Sequence, residues 1–161
     1  MKYILVLLLA LHSLVFAKAF DLIVTPTPEE PIKIEQKEDK PLAGKKLLIM
    51  ISSGELEKAG MGFALGLSAA QKGVQTTIVI GAKALNSATL KGVQNKFIAK
   101  DMTHREILQK AIDAGATVHI CGMSAKALGL GEEDFIKGAK IVKSLKIFEK
   151  IYEEKTKILS F

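Results

Sequence analysis

From residue 44 onward the chain alternates two hydrophobic periods, and that alternation limits its fold more than any other feature. "KKLLIMISS" is a continuous apolar run bounded by lysines and serines, the pattern of a strand covered on both faces. "ELEKAGMGFALGLSAAQKG" follows, with Leu56, Ala59, Phe63, Leu67 and Ala70 at helical spacing and Gly73 placed as a stop. "VQTTIVIG" is β-branched and reads as a second strand. "DMTHREILQKAIDAG" opens with Thr103 and Glu106 at capping-box spacing, carries Ile107, Leu108, Ala111 and Ile112 on one face, and stops at Gly115. "ATVHICG" is the next strand. "GEEDFIKGAKIV" is expected to give a short helix and a brief strand, "SLKIFEKIYEE" a helix, and "TKILSF" a last strand. Strands alternating with helices imply an α/β fold, a three-layer α/β/α domain with a five-stranded, mostly parallel sheet.

The N-terminus has a different composition. "MKYILVLLLALHSLVFAKAF" has one basic residue, Lys2, an apolar run from Ile4 to Phe16, and an A-x-A site at residues 17–19. These are the parts of a secretory signal peptide, with cleavage expected after Ala19 and a periplasmic or secreted destination. As a bilayer span the run is short, and His12 and Ser13 interrupt it. All four prolines then fall within the charged stretch at residues 20–43, read as a tether or extended arm. The domain proper is therefore assigned to residues 44–161. No stable membrane span is expected after cleavage. Attachment to a membrane surface through a retained N-terminus is the weaker reading.

Removing residues 1–19 takes Lys2 and Lys18 and no acid from the +6 of the whole chain, leaving +4. Acids are interleaved with the lysines of "KIVKSLKIFEK" and "EEKTK", and no arginine cluster or aromatic row accompanies them. A solvated face accounts for this pattern, and no nucleic-acid partner is expected.

Cys121 is the one cysteine, so no intramolecular disulfide can form. It ends the strand "TVHIC", where α/β sheets place their sites, and Gly122 and "MSAKALG" provide a sharp turn and one or two helical turns. A thiol there faces backbone donors that favour the thiolate. A free cysteine is also among the most buried residue types and behaves as a small hydrophobe. Both readings stand. Gly122, Met123 and Ser124 are the candidate binding residues beside it.

Ser52, Ser53 and Gly54 end the first strand. If that strand neighbours the cysteine strand, their hydroxyls and N–H groups could hold an anion or a sulfur species; Ser53 acting as a helix cap is the structural alternative. His119 lies two residues before Cys121 and shares its face, which suits a base or thiolate support, or a half-buried strand residue. His104 is read as an exposed residue in the first turn of its helix. Two soft ligands do not make a zinc site, so no metal is expected. "GMGFALG" has the wrong spacing and context for a dinucleotide fingerprint, and close packing explains Gly60, Gly62 and Gly66 better. "ISSGE" lacks the G-x-S-x-G pattern of a nucleophile elbow.

With its elements placed, the sequence resembles the DsrE/DsrF-like family, which includes the sulfur-relay proteins of the DsrEFH and TusBCD complexes. The resemblance rests on "LLIMISSGELEKAGMGFALGLSAAQKGVQTTIVIGAKAL", on "AGATVHICGMSAKALGLGEEDFIKGAKIV" and on "KILSF". Its strongest part is "CGMSAKALGLGEED": a cysteine after a strand, a short helix ending in glycine, then an acidic helix start. The resemblance implies a five-stranded α/β/α subunit that forms trimers or hexamers, with Cys121 as a persulfide carrier needing no cofactor. Some relatives carry a second cysteine three positions on, where this chain has Ser124. The leading expectation is an exported thiol protein that accepts and passes on sulfane sulfur, or does thiol redox chemistry, with exported donor and acceptor partners. Its rival is an oligomeric binding or assembly module with an inert cysteine.

Overall fold

The computed structural model describes residues 41–92 and 94–161; the expected signal peptide, and the tether up to residue 40, lie outside them. Five parallel strands form the central sheet: β1 (Lys46–Ile51), β2 (Gln75–Ile80), β5 (Thr117–Cys121), β6 (Ala139–Val142) and β7 (Thr156–Ser160). Their order is β6-β5-β2-β1-β7, so the last strand in sequence pairs beside the first.

Strand alternation assigns the side chains to two unlike faces. Ile49, Ile51, Ile78, Ile80, Val118 and Ile120 point to one side and are at most 1% exposed. Against them pack α1 (Leu56–Gln71), through Ala59, Phe63 and Leu67, and α2 (His104–Asp113), through Ile107, Leu108 and Ala111. Phe63 is fully buried there, which is worth about 3 kcal/mol of transfer free energy. Ile112 packs against this core only in part. The expected capping box is present: Thr103 Oγ1 accepts from the Glu106 N–H at 3.2 Å, and Glu106 accepts from the Thr103 N–H at 2.8 Å. The chain leaves both helices through glycines at positive φ, Gly73 at 83° and Gly115 at 95°.

The glycines inside α1 pack closely, as expected. A Cβ at Gly66 would meet Ile78 Cδ1 at 2.7 Å, and one at Gly62 would meet both Ile51 and Phe161 at 2.9 Å. A Cβ at Gly60 would strike the Phe97 ring. Missing side chains here let α1 lie close on the sheet.

The opposite face carries Leu48 and Val79, both buried, together with the polar Thr77, Thr117, His119 and Thr156. α4 (Ser144–Ile151) serves this side: its Lys150 borders a cavity of about 270 Å³ with Leu48, Thr77, Thr117 and Thr156. Glu153, just beyond α4, pairs with Lys46 of β1 and with Lys150, both at 2.8 Å. The apolar residues of α4 are not all spent on the sheet. Leu145, Phe148 and Tyr152 are 70%, 52% and 82% exposed.

Two segments differ from what the sequence predicts. Residues 132–138 hold a single 3-10 turn, Glu132–Asp134, in place of a helix, closed by Asp134 accepting from the Gly131 N–H at 3.0 Å. Between β2 and α2 lies a region the reading left blank. It contains a 3-10 helix, Ala82–Ser87, and a small antiparallel pair, β3 (Lys96–Phe97) and β4 (Met102–Thr103). Between β5 and β6, α3 (Gly122–Ala127) is the short helix expected after the cysteine. No helix among the described residues is long and apolar enough to cross a membrane.

Candidate functional site

Cys121 is the last residue of β5 and the N-cap of α3, with extended backbone angles (φ −63°, ψ 114°), and is partly exposed. Gly122 follows because α3 starts against β6: a Cβ at that position would lie 2.8 Å from the Val142 carbonyl oxygen. The turn aims backbone donors at the sulfur. Burial alone would push the Cys121 thiol up, but the Ser124 N–H, the Ser124 hydroxyl and the Met123 N–H outweigh it and hold the thiol below its ordinary value. No one of them makes a full cap hydrogen bond; the effect is the sum of several dipoles.

Ser124 is held in turn from the start of the 3-10 helix that follows β2. Its Oγ accepts from the Ala82 N–H at 3.0 Å. Ala82 has φ 47°, a left-handed conformation that a residue with a Cβ adopts only when its surroundings impose it. Gly81, before it, would place a Cβ 3.4 Å from Cys121 Cβ and 3.6 Å from Ser124 Oγ. Neither Gly81 nor Ala82 stands out in the sequence as a site residue. Their signal was the apolar run "TTIVIG" ending in glycine, legible only once β2 is known to lie beside β5.

Two open crevices are lined by residues that neighbour Cys121 in sequence, although Cys121 itself lines neither. One, of about 900 Å³, has Ser52, Ser53, Gly54 and Lys58 on one side and Lys83 and Ser124 on the other. The second, of about 610 Å³, is lined by Gly122, Met123, Lys126, Val142 and Lys143 among others. Met123 is 70% exposed at its mouth.

Ser52, Ser53 and Gly54 are not on a strand adjacent to the cysteine, because β2 intervenes. Several of the donors offered there to an anion are engaged within the chain. The N–H groups of Ser52 and Ser53 both donate to the Phe161 carbonyl, at 2.9 and 3.3 Å, and Ser52 Oγ also lies 3.3 Å from it. Nor does Ser53 cap α1. The N-cap position is Glu55, without a side-chain cap, while Ser53 Oγ accepts from the Glu55 N–H at 3.1 Å.

His119 shares the Cys121 face by alternation, yet no hydrogen bond joins them among the described residues. It is 6% exposed, and its Nδ1 is buried with no partner there. Burial first, then the positive charges of Lys150, Lys146 and Lys140, push its pKa below the ordinary imidazole value, so it is neutral at pH 7. His104, expected on the surface, is buried at 6% exposure between Ser87 and Leu56. Among the described residues no three His, Cys, Asp or Glu side chains converge as metal ligands.

Comparison with known proteins agrees with this architecture. Over 85 residues the chain is 35% identical to the uncharacterized protein MJ0989 of Methanocaldococcus jannaschii, spanning 53% of this chain and 71% of that one. A shorter match of 36 residues, 50% identical, links it to the uncharacterized protein MK0008 of Methanopyrus kandleri, covering 22% and 30% of the two chains. YchN of E. coli superposes with a TM-score of 0.63 at 12% identity, covering 73% of this chain and 99% of that one. MTH1491 of Methanobacterium thermoautotrophicum, a protein of unknown function, gives 0.56 at 12% identity over the same shares. At those identities the likeness shows the fold. The profile of the DsrE/DsrF-like family matches residues 45–161, which include every strand and helix described above, and the chain therefore belongs to that family, one associated with sulfur relay.

Proposed function

We propose that this protein is a thiol-based sulfur carrier acting through Cys121. The observation that supports this is the set of donors at the start of α3: they favour the Cys121 thiolate in spite of burial, and the thiolate is the nucleophile. In the proposed step the thiolate attacks the outer sulfur of a donor persulfide. The new S–S bond forms as the old one breaks, the donor leaves as its thiolate, and the protein holds Cys–S–SH. An acceptor thiolate then takes the outer sulfur by the same exchange, so no external oxidant, metal or organic cofactor is required.

Lys58 and Lys83 at one crevice and Lys126 and Lys143 at the other outnumber the acids Glu55 and Glu132 lining them. That surplus favours a donor that arrives as an anion, such as a persulfide or polysulfide. With Ser124 in place of a second cysteine, release must go to an external thiol. The protein is proposed to work after export, on the strength of its leader-like N-terminus, and as a homo-oligomer. The exposed Leu145 and Phe148 of α4 and Tyr152 at its C-terminal cap supply an apolar stripe for that association.

The test is intact mass after exposure of the folded protein to polysulfide, alongside Cys121 alkylation measured against pH. Mass gained in steps of one sulfur atom, lost on reduction and absent from Cys121→Ser, is the expected outcome. A folded protein whose thiol neither alkylates nor gains mass would make Cys121 a packing residue and leave an oligomeric binding module as the function.

A further inference from the structure

His104 is the first residue of α2, and its ring reaches two elements far away in sequence. Nε2 lies 2.8 Å from the Leu56 carbonyl oxygen at the start of α1, and Nδ1 lies 2.9 Å from Ser87 Oγ at the end of the 3-10 helix. A carbonyl can only accept, so Nε2 carries the proton, Nδ1 is the acceptor, and the Ser87 hydroxyl donates. Ser87 is 7% exposed, and Phe63 packs edge-on to the ring with centroids 5.0 Å apart. Every polar atom of the trio is satisfied by that one arrangement.

Each arm is attached to a wall of the larger crevice. Leu56 directly follows the loop that carries Ser52, Ser53 and Gly54; Ser87 closes the 3-10 helix that begins with Ala82 and Lys83. Ala82 is the left-handed residue whose N–H holds Ser124, and Ser124 is the main donor to Cys121. Strain at Ala82 persists only where the surroundings over-determine it; the buried Ala84 and Leu85 seat the 3-10 helix in the core, and the Ser87–His104 bond pins its far end there.

We infer that His104 is a positioning residue for the thiol: by tying Leu56 to Ser87 beneath the crevice, it anchors the 3-10 helix that presents Ser124 to Cys121. The inference concerns the site of the proposed carrier, but thiol ionisation alone reads it, so it can fail or hold whether or not sulfur is carried.

Alkylation of Cys121 against pH is measured for the full chain and four variants. His104→Phe keeps a ring and loses both bonds; Ser87→Ala loses one and carries the test if His104→Phe does not fold. His104→Gln restores a donor and an acceptor. Thr103→Ala removes the cap of the same helix without touching the relay, and so controls for simple destabilisation. His104→Phe and Ser87→Ala are expected to move the profile to higher pH, with alkylation at pH 7 slowed about twofold: losing roughly one hydrogen bond's support cuts the thiolate population about fivefold, and the greater nucleophilicity of the remaining thiolate recovers about twofold. His104→Gln should recover most of the rate, and Thr103→Ala should leave the profile in place. A folded His104→Phe or Ser87→Ala with an unmoved profile, or an equal shift in Thr103→Ala, would overturn the inference.

Discussion

Replacing Ser124 with alanine separates ionisation of the thiol from access to it. The hydroxyl does two things: it favours the Cys121 thiolate, and it accepts the Ala82 N–H at 3.0 Å. A full hydrogen bond to a charged partner is worth about 1.5–3 kcal/mol; the Ser124 hydroxyl makes less than a full bond to a partly exposed Cys121, so about 1.5 kcal/mol is the most its loss can cost. Losing about 1.5 kcal/mol of preference for the thiolate reduces its population roughly tenfold at a pH below the thiol pKa. The thiolate that remains is more basic and intrinsically more nucleophilic, which recovers about threefold at a Brønsted coefficient near ~0.5. Net alkylation of Ser124→Ala should therefore run up to about threefold slower at neutral pH and up to about threefold faster at high pH, where both proteins are fully ionised. The two rate–pH curves should cross. The Ala82 N–H is exposed and can turn to water, so the stability loss should stay at about 0.5–1 kcal/mol in urea unfolding. Superimposable curves would mean that Ser124 does not support the thiolate. Curves displaced by a constant factor at every pH would mean that it governs access, and either outcome removes the electrostatic basis of the proposed carrier.

Three further outcomes follow from geometry away from the thiol. Gly60→Ala puts a methyl into the Phe97 ring and should destabilise the fold by about 1–3 kcal/mol in chemical denaturation, through overpacking. The Glu153 carboxyl is held down to about 2 by hydrogen bonds from Lys150 and Lys46, which outweigh the opposing effect of desolvation and are reinforced by the two lysine charges. Because the folded pKa lies below the unfolded one, the stabilising effect of Glu153 is complete above the ordinary carboxylate range and fades as pH falls through about 2. NMR titration of the Glu153 side-chain carboxyl should show its midpoint there, and a midpoint near 4.5 would deny the double ion pair. Phe148→Lys, on the exposed stripe of α4, should leave the unfolding free energy of a dissociated subunit within about 0.5 kcal/mol of the parent. It should also shift sedimentation toward that subunit. An unchanged assembly would place the interface elsewhere.

What could be read from the sequence was local. Leu56, Ala59, Phe63, Leu67 and Ala70 mark α1 because a helix repeats its face every three or four residues, and Thr103 with Glu106 marks the start of α2 because a capping box spans four positions. Cys121 could be placed at a strand end for the same reason. Misread residues depend on partners distant in sequence. His104 looked exposed because its acceptor, the Leu56 carbonyl, is 48 positions away. The N–H groups of Ser52 and Ser53 looked free because the carbonyl that takes them belongs to Phe161. Gly81 and Ala82 passed unnoticed because their relation to Cys121 exists only through the β2–β5 pairing. The apolar repeat of α4 was read correctly as a helix, but periodicity does not say whether a sheet or another molecule covers the stripe.

The placement of β7 beside β1 also constrains how the sheet is made. β1, α1 and β2 are close in sequence and can associate early, whereas Ser52 meets Phe161 across 109 positions. Until the segment 156–161 arrives, one side of β1 presents an unpaired ladder beside Leu48 and Met50. Closure over so long a loop is intrinsically slow, and an open apolar edge is the surface through which partly folded chains stick to one another. Yield on refolding should therefore depend on protein concentration more steeply than native stability would suggest, and mutations that weaken β7 should show first as aggregation during folding.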